Sequence, residues 1–176
     1  MKTSLRVTWA IVLCALLPLS ARAELAPGDK APDFTLQTTD GKPVKLSDFV
    51  GKRAFVLAWY PKAFTGGCTE ELKSFGDAEL DLAKYDVAIY MVSFDKPEKN
   101  AEFAKSLNAK LPLLSDPTGA TAEAFGNSGL GGMYAKRWTY YVDADGVVRY
   151  VDKDVKTATA AKDIAAKLGE LGFPWK

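Results

Sequence analysis

The sequence predicts an α/β protein in which a central mixed sheet, extended by an N-terminal β-hairpin, is flanked by helices. Three observations carry this expectation. Short apolar runs alternate with stretches of helical periodicity, Thr39-Asp40-Gly41-Lys42 and Asp145-Gly146 mark two hairpin turns, and Ala158 to Leu171 closes the chain as an amphipathic helix.

In chain order, Asp33 to Thr38 and Pro43 to Leu46 are the arms of the first hairpin. Ala54 to Tyr60 is an apolar run of the length of a buried strand. Cys68, Leu72, Phe75, Ala78, Leu82 and Tyr85 then recur at spacings of four, three, three, four and three, predicting one helix from Cys68 to Tyr85 with Cys68 on its core-facing stripe. Gly76 lies inside it, where glycine costs about 1 kcal/mol relative to alanine. Val87 to Phe94 reads as a strand, Pro97 to Leu107 as a helix, Leu111 to Ser115 as a strand and Ala120 to Phe125 as a short helix. Trp138 to Val142 and Val147 to Val151 form a hairpin about Asp145-Gly146. A strand, helix, strand unit followed by a strand hairpin and a final helix is the order of the thioredoxin fold.

Residues 1–23 have the form of a secretory leader, with Lys2 and Arg6 at the start, an uncharged, mostly apolar stretch from Val7 to Leu17 and the cleavage pattern Ala21-Arg22-Ala23. Cleavage between Ala23 and Glu24 and export, with the periplasm as destination, are the expectations. Removing residues 1–23 from the 176 leaves 153, enough for one domain, residues 24–176, with its own core. The leader takes three of the 23 basic residues and none of the 22 acidic ones, so the mature chain carries a net charge of −2. That balance points to neither nucleic acid nor anionic membrane as a partner. The Gly129 to Gly132 loop lacks the spacing and the preceding strand of a dinucleotide site.

Cys14 leaves with the leader, so Cys68 is the one thiol of the mature chain and an internal disulfide is impossible. Cys68 stands where the strand gives way to the helix, and the free amides and dipole of a first helical turn favour an anion there. The chain contains no histidine, which excludes a Cys-His pair and imidazole metal sites, while a lone thiol excludes thiolate zinc sites. No cofactor is implied. Thr65, one helical turn before Cys68, is placed either to cap the helix or to exchange hydrogen bonds with the thiol and a substrate oxygen. Pro61 stiffens and shields the loop, Gly66-Gly67 permits close backbone approach, and a thiol at the bottom of a small pocket is expected.

The pattern P-x-x-x-T-x-x-C, present as Pro61, Thr65 and Cys68 and followed by Thr69 and Glu71, resembles the active-site signature of the peroxiredoxins. The likeness runs from about Gly28 to Gly172, includes Arg137-Trp138-Thr139-Tyr140, and is closest to the Q-type, bacterioferritin-comigratory branch. It implies a thioredoxin-like fold and reduction of hydrogen peroxide or organic hydroperoxides. It implies Cys68 as the nucleophile that becomes a sulfenic acid, Arg137 beside the thiol, and Thr65, Pro61 and the Gly67 amide around the substrate, with Glu71 orienting Arg137. The implied partners are a peroxide and an external thiol or thioredoxin- or glutaredoxin-like reductant, for a monomer or homodimer. Q-type relatives often carry a resolving cysteine five residues after the first, where this chain has Lys73, and commonly proline where Gly66 stands. The resemblance is thus to a one-cysteine form.

Two other readings compete. A thiol-disulfide oxidoreductase would need a second cysteine where Thr65 stands. An exported thioredoxin-fold sensor or binding module would instead form mixed disulfides through Cys68, with Trp59, Trp138 and Trp175 as a possible docking surface.

Overall fold

The computed structural model describes residues 24–176, and the leader-like segment lies outside the described residues. Seven strands form one mixed sheet: β1 (Thr35–Thr38), β2 (Pro43–Lys45), β3 (Ala54–Trp59), β4 (Val87–Ser93), β5 (Leu113–Ser115), β6 (Thr139–Val142) and β7 (Val148–Asp152), in the order β2-β1-β5-β4-β3-β6-β7. The helices are α1 (Gly66–Asp77), α2 (Glu79–Leu82), α3 (Pro97–Ser106), α4 (Ala120–Ala124) and α5 (Ala160–Glu170). The pairs β3/β4 and β4/β5 are parallel, and the others are antiparallel. The N-terminal hairpin predicted from the sequence is present, and it extends the sheet by pairing β1 with β5.

Every residue of β3 is buried, because both faces of the sheet are covered. Ala54, Val56 and Ala58, followed by Tyr60, pack beneath α1 and α5 with Leu72, Phe75, Ile164 and Leu168. Phe55, Leu57 and Trp59 face the opposite layer of Phe34, Phe49, Phe125 and Tyr140. The continuous apolar run of β3 is the sequence form of a strand with no solvent side. The β6–β7 hairpin turns where predicted: Gly146 adopts φ 74°, and the Asp143 carboxylate accepts from the amides of Asp145 and Val147.

The helix expected from Cys68 to Tyr85 is two helices. The backbone leaves helical geometry at Ala78 (φ −108°, ψ 13°), directly after Gly76 and Asp77, both weak helix formers. The buried stripe nevertheless continues across the break through Ala78, Leu82 and Tyr85, so periodicity alone does not register it.

A buried polar network underlies the end of β3. Tyr60 Oη donates to Asn100 Oδ1 at 2.7 Å, and Asn100 Nδ2 donates to Ser115 Oγ at 2.9 Å and to Ser93 Oγ and the Leu114 carbonyl at 3.2 Å. Asn100 has no exposed surface, so each of these groups depends on the others for its partner. Asn100→Ala is expected to lower the unfolding free energy by about 1–3 kcal/mol, the cost of stranding buried partners, read as a shifted urea midpoint at unchanged slope.

Candidate active site

The site lies where β3 ends and α1 begins. Tyr60 remains in register through its amide bond to the Val92 carbonyl, and half-buried Pro61 then turns the chain out of the sheet. The loop that follows is tied to the neighbouring strand end: the Ala63 amide donates to Asp95 Oδ2 at 2.7 Å, and Lys99 holds the other oxygen of Asp95 at 2.6 Å. Phe64 adopts φ 64°, a conformation that a bulky side chain seldom takes, with its ring 5.1 Å from that of Phe103.

Thr65 occupies the cap position of α1 in extended geometry, yet its hydroxyl caps nothing. It donates to the Lys62 carbonyl at 3.0 Å. The expected cap and the expected bond to the thiol are both replaced by a bond within the loop, because the Lys62 carbonyl three residues back competes for the same short side chain. The first α-helical amide bond runs from Thr69 to the Thr65 carbonyl, which leaves the amides of Gly66, Gly67 and Cys68 without an intrahelical acceptor.

Cys68 is fully buried, and the expected pocket at the thiol is closed in this structure. A cavity of about 500 Å³ lies instead between the C-terminal half of α1, α2, β4 and the loop before β5, without Cys68 in its lining. Burial follows from the stripe: Cys68 is the first member of the row that continues through Leu72 and Phe75 into the core.

Arg137 meets this sulfur from the entry to β6. Its Nη2 donates to Cys68 Sγ at 3.2 Å, and its Nη1 pairs with Glu71 Oε2. A guanidinium against the sulfur stabilises a thiolate through charge-assisted hydrogen bonding. Gly67 makes room for it, since a Cβ there would lie 3.3 Å from Nη2 and 3.6 Å from Thr157 Cγ2. The arginine's backbone is held on both sides: the Trp138 carbonyl accepts from the Trp59 amide at 2.9 Å, and Lys136 and Lys153 both sit on the Trp138 ring while bonding Glu24.

Glu71 is fully buried one turn into α1, and burial pushes its carboxyl up to about 7, against the downward pull of Arg137. Arg137 is raised from its ordinary value: burial opposes its charge, but Glu71 and Cys68 outweigh it. Cys68, Arg137, Glu71 and Gly67, all singled out from sequence, thus meet at one point. Pro61 and Thr65 form the adjoining loop.

The AhpC/TSA family matches residues 27–151. The chain belongs to this family, the peroxiredoxins. Peroxiredoxin Bcp of Escherichia coli is 39% identical over 140 residues, 76% of this chain and 89% of its own length. The crystal structure of peroxidoxin BcpB from Mycobacterium tuberculosis matches with a TM-score of 0.72 at 35% identity, over 83% of this chain and 96% of that one. The bacterioferritin comigratory protein of Xanthomonas campestris matches with a TM-score of 0.70 at 26% identity, over 78% of this chain and 90% of that one. These relatives agree with the Q-type branch. The grouped tryptophans of the competing reading do not form a surface, since Trp59 is fully buried and exposed Trp175 packs on Tyr85, just before the start of β4.

Sequence reasoning missed Asn100, Asp95 and the Glu24–Lys136–Lys153 cluster. Each is assembled from separate elements, and only the polar Asn100 amid the apolar positions of α3 hints at its role.

Two outcomes are expected. Gly67→Ala should slow Cys68 oxidation roughly tenfold, equivalent to about 1.4 kcal/mol of lost charge stabilisation, with stability retained because alanine favours a helix; stopped-flow oxidation and a urea melt separate the two effects. Glu71 holds its proton more tightly folded (about 7) than in its ordinary state (4.5), so its contribution to stability falls as pH rises through that window. Glu71→Gln should flatten that part of the stability–pH curve relative to wild type.

Proposed function

We propose that this protein is an exported one-cysteine peroxiredoxin that reduces hydrogen peroxide or organic hydroperoxides and is restored by an external thiol. The observation that carries the reading is the Arg137 guanidinium on the sulfur of Cys68, at the start of a helix whose first amides are free, in a chain of the peroxiredoxin family. The reaction class is that of the family: a thiol-dependent peroxidase. The bacterioferritin comigratory protein of Xanthomonas campestris reduces alkyl peroxides, which supports organic hydroperoxides as substrates here.

In this reading the Cys68 thiolate attacks one peroxide oxygen and the O–O bond breaks. Arg137 and the amides of Gly67 and Cys68 stabilise the charge on sulfur and then on the departing oxygen. Pro61 shields the reacting atoms, and Thr65 holds the loop through Lys62. Cys68 becomes a sulfenic acid. With cleavage after Ala23 the mature chain keeps no second thiol, so an external thiol or a thioredoxin- or glutaredoxin-like protein must attack the sulfenic acid before further oxidation. The protein works as a monomer or homodimer in the periplasm, and neither cofactor nor metal takes part. The sensing alternative is not favoured by the family assignment.

Rapid mixing with hydrogen peroxide, followed by tryptophan fluorescence and intact mass, tests the site. Sulfenic acid should form far faster than on a free thiol, should not form in Cys68→Ser, and should slow by about 10²–10³ in Arg137→Ala, the range for removing one preorganised donor. A rate like that of free cysteine in the wild type would sink the peroxidase reading. Export predicts that intact mass of the secreted chain begins at Glu24; a full-length product retained in the cytoplasm would refute it.

A further inference from the structure

Glu71 is an ionisable side chain with no exposed surface, and its Oε1 has no hydrogen-bond partner. The contrast with Asp116, also buried, is informative: one of its oxygens accepts from the Ala122 amide at 2.9 Å. Glu71 has only Arg137, which pairs with Oε2 through Nη1 while Nη2 reaches Cys68 Sγ. One fixed cation therefore faces two acids, each without exposed surface.

We propose that Cys68, Arg137 and Glu71 hold a single proton among them, such that in the reduced enzyme the sulfur is the anion and Glu71 Oε1 carries the proton that the departing peroxide oxygen takes. The inference rests on the peroxidase reading above and deepens it.

Charge balance decides the proton count. Two buried anions against one guanidinium would leave an uncompensated negative charge, and two neutral acids would leave an uncompensated positive one; a buried site disfavours either. One proton leaves the group neutral.

Geometry decides where the proton sits. Cys68 is the third residue of α1, next to free first-turn amides, whereas Glu71 lies a full turn deeper, where the amides are committed to the helix. The anion belongs on sulfur. A protonated Glu71 still accepts from Arg137 through Oε2, and an unpaired neutral hydroxyl at Oε1 is less costly than an unpaired carboxylate oxygen. The groups that face Glu71 are Arg137 from the entry to β6, Cys68 on its own helix and Tyr60 from the end of β3. The Tyr60 phenol is held above its ordinary value by burial and remains neutral. From α5, the Ala161 amide donates to Ser74 Oγ, one turn beyond Glu71 on α1, and carries no charge. Burial's upward push on the Glu71 carboxyl agrees with this placement.

The step balances. The thiolate attacks the terminal oxygen of ROOH, forming an S–O bond as the O–O bond breaks; the departing alkoxide takes the Glu71 proton, giving Cys68 sulfenic acid, ROH and a Glu71 carboxylate paired with Arg137. Sulfur is oxidised and the peroxide oxygens are reduced. When an external thiol returns Cys68 to the thiol state, its proton passes back to Glu71. The carboxyl thus changes charge with the oxidation state of the sulfur.

Infrared difference spectra of the peroxide-treated minus the reduced full mature protein, at mildly acidic pH, test this, together with a pH indicator in weak buffer that counts protons taken from solvent and intact mass that counts sulfenic acid. Expected is the loss of a protonated carboxyl band on oxidation with no proton taken from solvent. The band should be absent from Glu71→Gln, which should draw one proton from solvent per sulfenic acid, and from reduced Cys68→Ser, where Glu71 becomes the sole anion facing Arg137. A wild type that oxidises normally but loses no carboxyl band, or takes up a proton from solvent, overturns the shared proton while leaving the peroxidase reading intact. Failure to form sulfenic acid at all overturns both, and intact mass distinguishes that case.

Discussion

The Arg137 guanidinium is the interaction on which the site depends. Without histidine in the chain, no other described group reaches the sulfur with a positive charge, and an arginine remains charged where it is half-buried. Much of the surrounding architecture serves to aim it. β3 delivers Cys68 to the start of α1, β6 pairs antiparallel with β3 and so begins beside the end of β3, and Arg137 stands just before β6. The antiparallel pairing is therefore what makes residues 69 positions apart in sequence neighbours in space.

Holding a charged group at such a place requires a stiff frame on both sides. Beneath the loop, Asn100 ties Tyr60 to β4 and β5, and Asp95 ties Ala63 to the start of α3. Above it, Lys136 and Lys153 both lie against the Trp138 ring and both bond Glu24, so that the earliest described part of the chain closes over the segment that presents Arg137. The exposed ion pairs in this cluster are weak singly, but the shared aromatic ring converts them into a packed unit.

Periodicity carried the fold. β3 is legible as an apolar run because both sheet faces are covered, and the stripe from Cys68 to Tyr85 is legible because side-chain burial repeats even where the backbone breaks at Ala78. Cys68 was legible from its setting between strand and helix. Arg137 and Glu71 were reachable through the family pattern alone, since nothing local distinguishes an arginine at a strand end or an acid in an early helical turn. The bond made by Thr65 and the closed thiol were not legible. The first depends on competition between acceptors a few ångströms apart, and the second on how tightly the loop from Pro61 to Thr65 packs over the sulfur.

That closure bears on the position of Lys73. In a continuous α-helix, residues five apart have Cα atoms about 8–9 Å from each other, beyond the roughly 7 Å at which a disulfide can form without backbone movement. A cysteine there would have to unwind α1 in every catalytic cycle, which would also move Glu71 away from Arg137. Lys73 is exposed on the outer side of α1 and imposes no such demand, so the helix can keep Cys68, Glu71 and Arg137 in register throughout the cycle. The requirement to uncover the oxidised sulfur then falls on the loop rather than the helix. That loop is suited to it: Phe64 is held in a strained left-handed conformation with half its surface exposed, and beyond the buried Ala63 and the Phe64–Phe103 contact its ties are a few hydrogen bonds from Ala63 and Thr65. In the proposed cycle, where an external thiol resolves the sulfenic acid, opening is thus asked of the loop before Cys68, and the helix after it can stay intact.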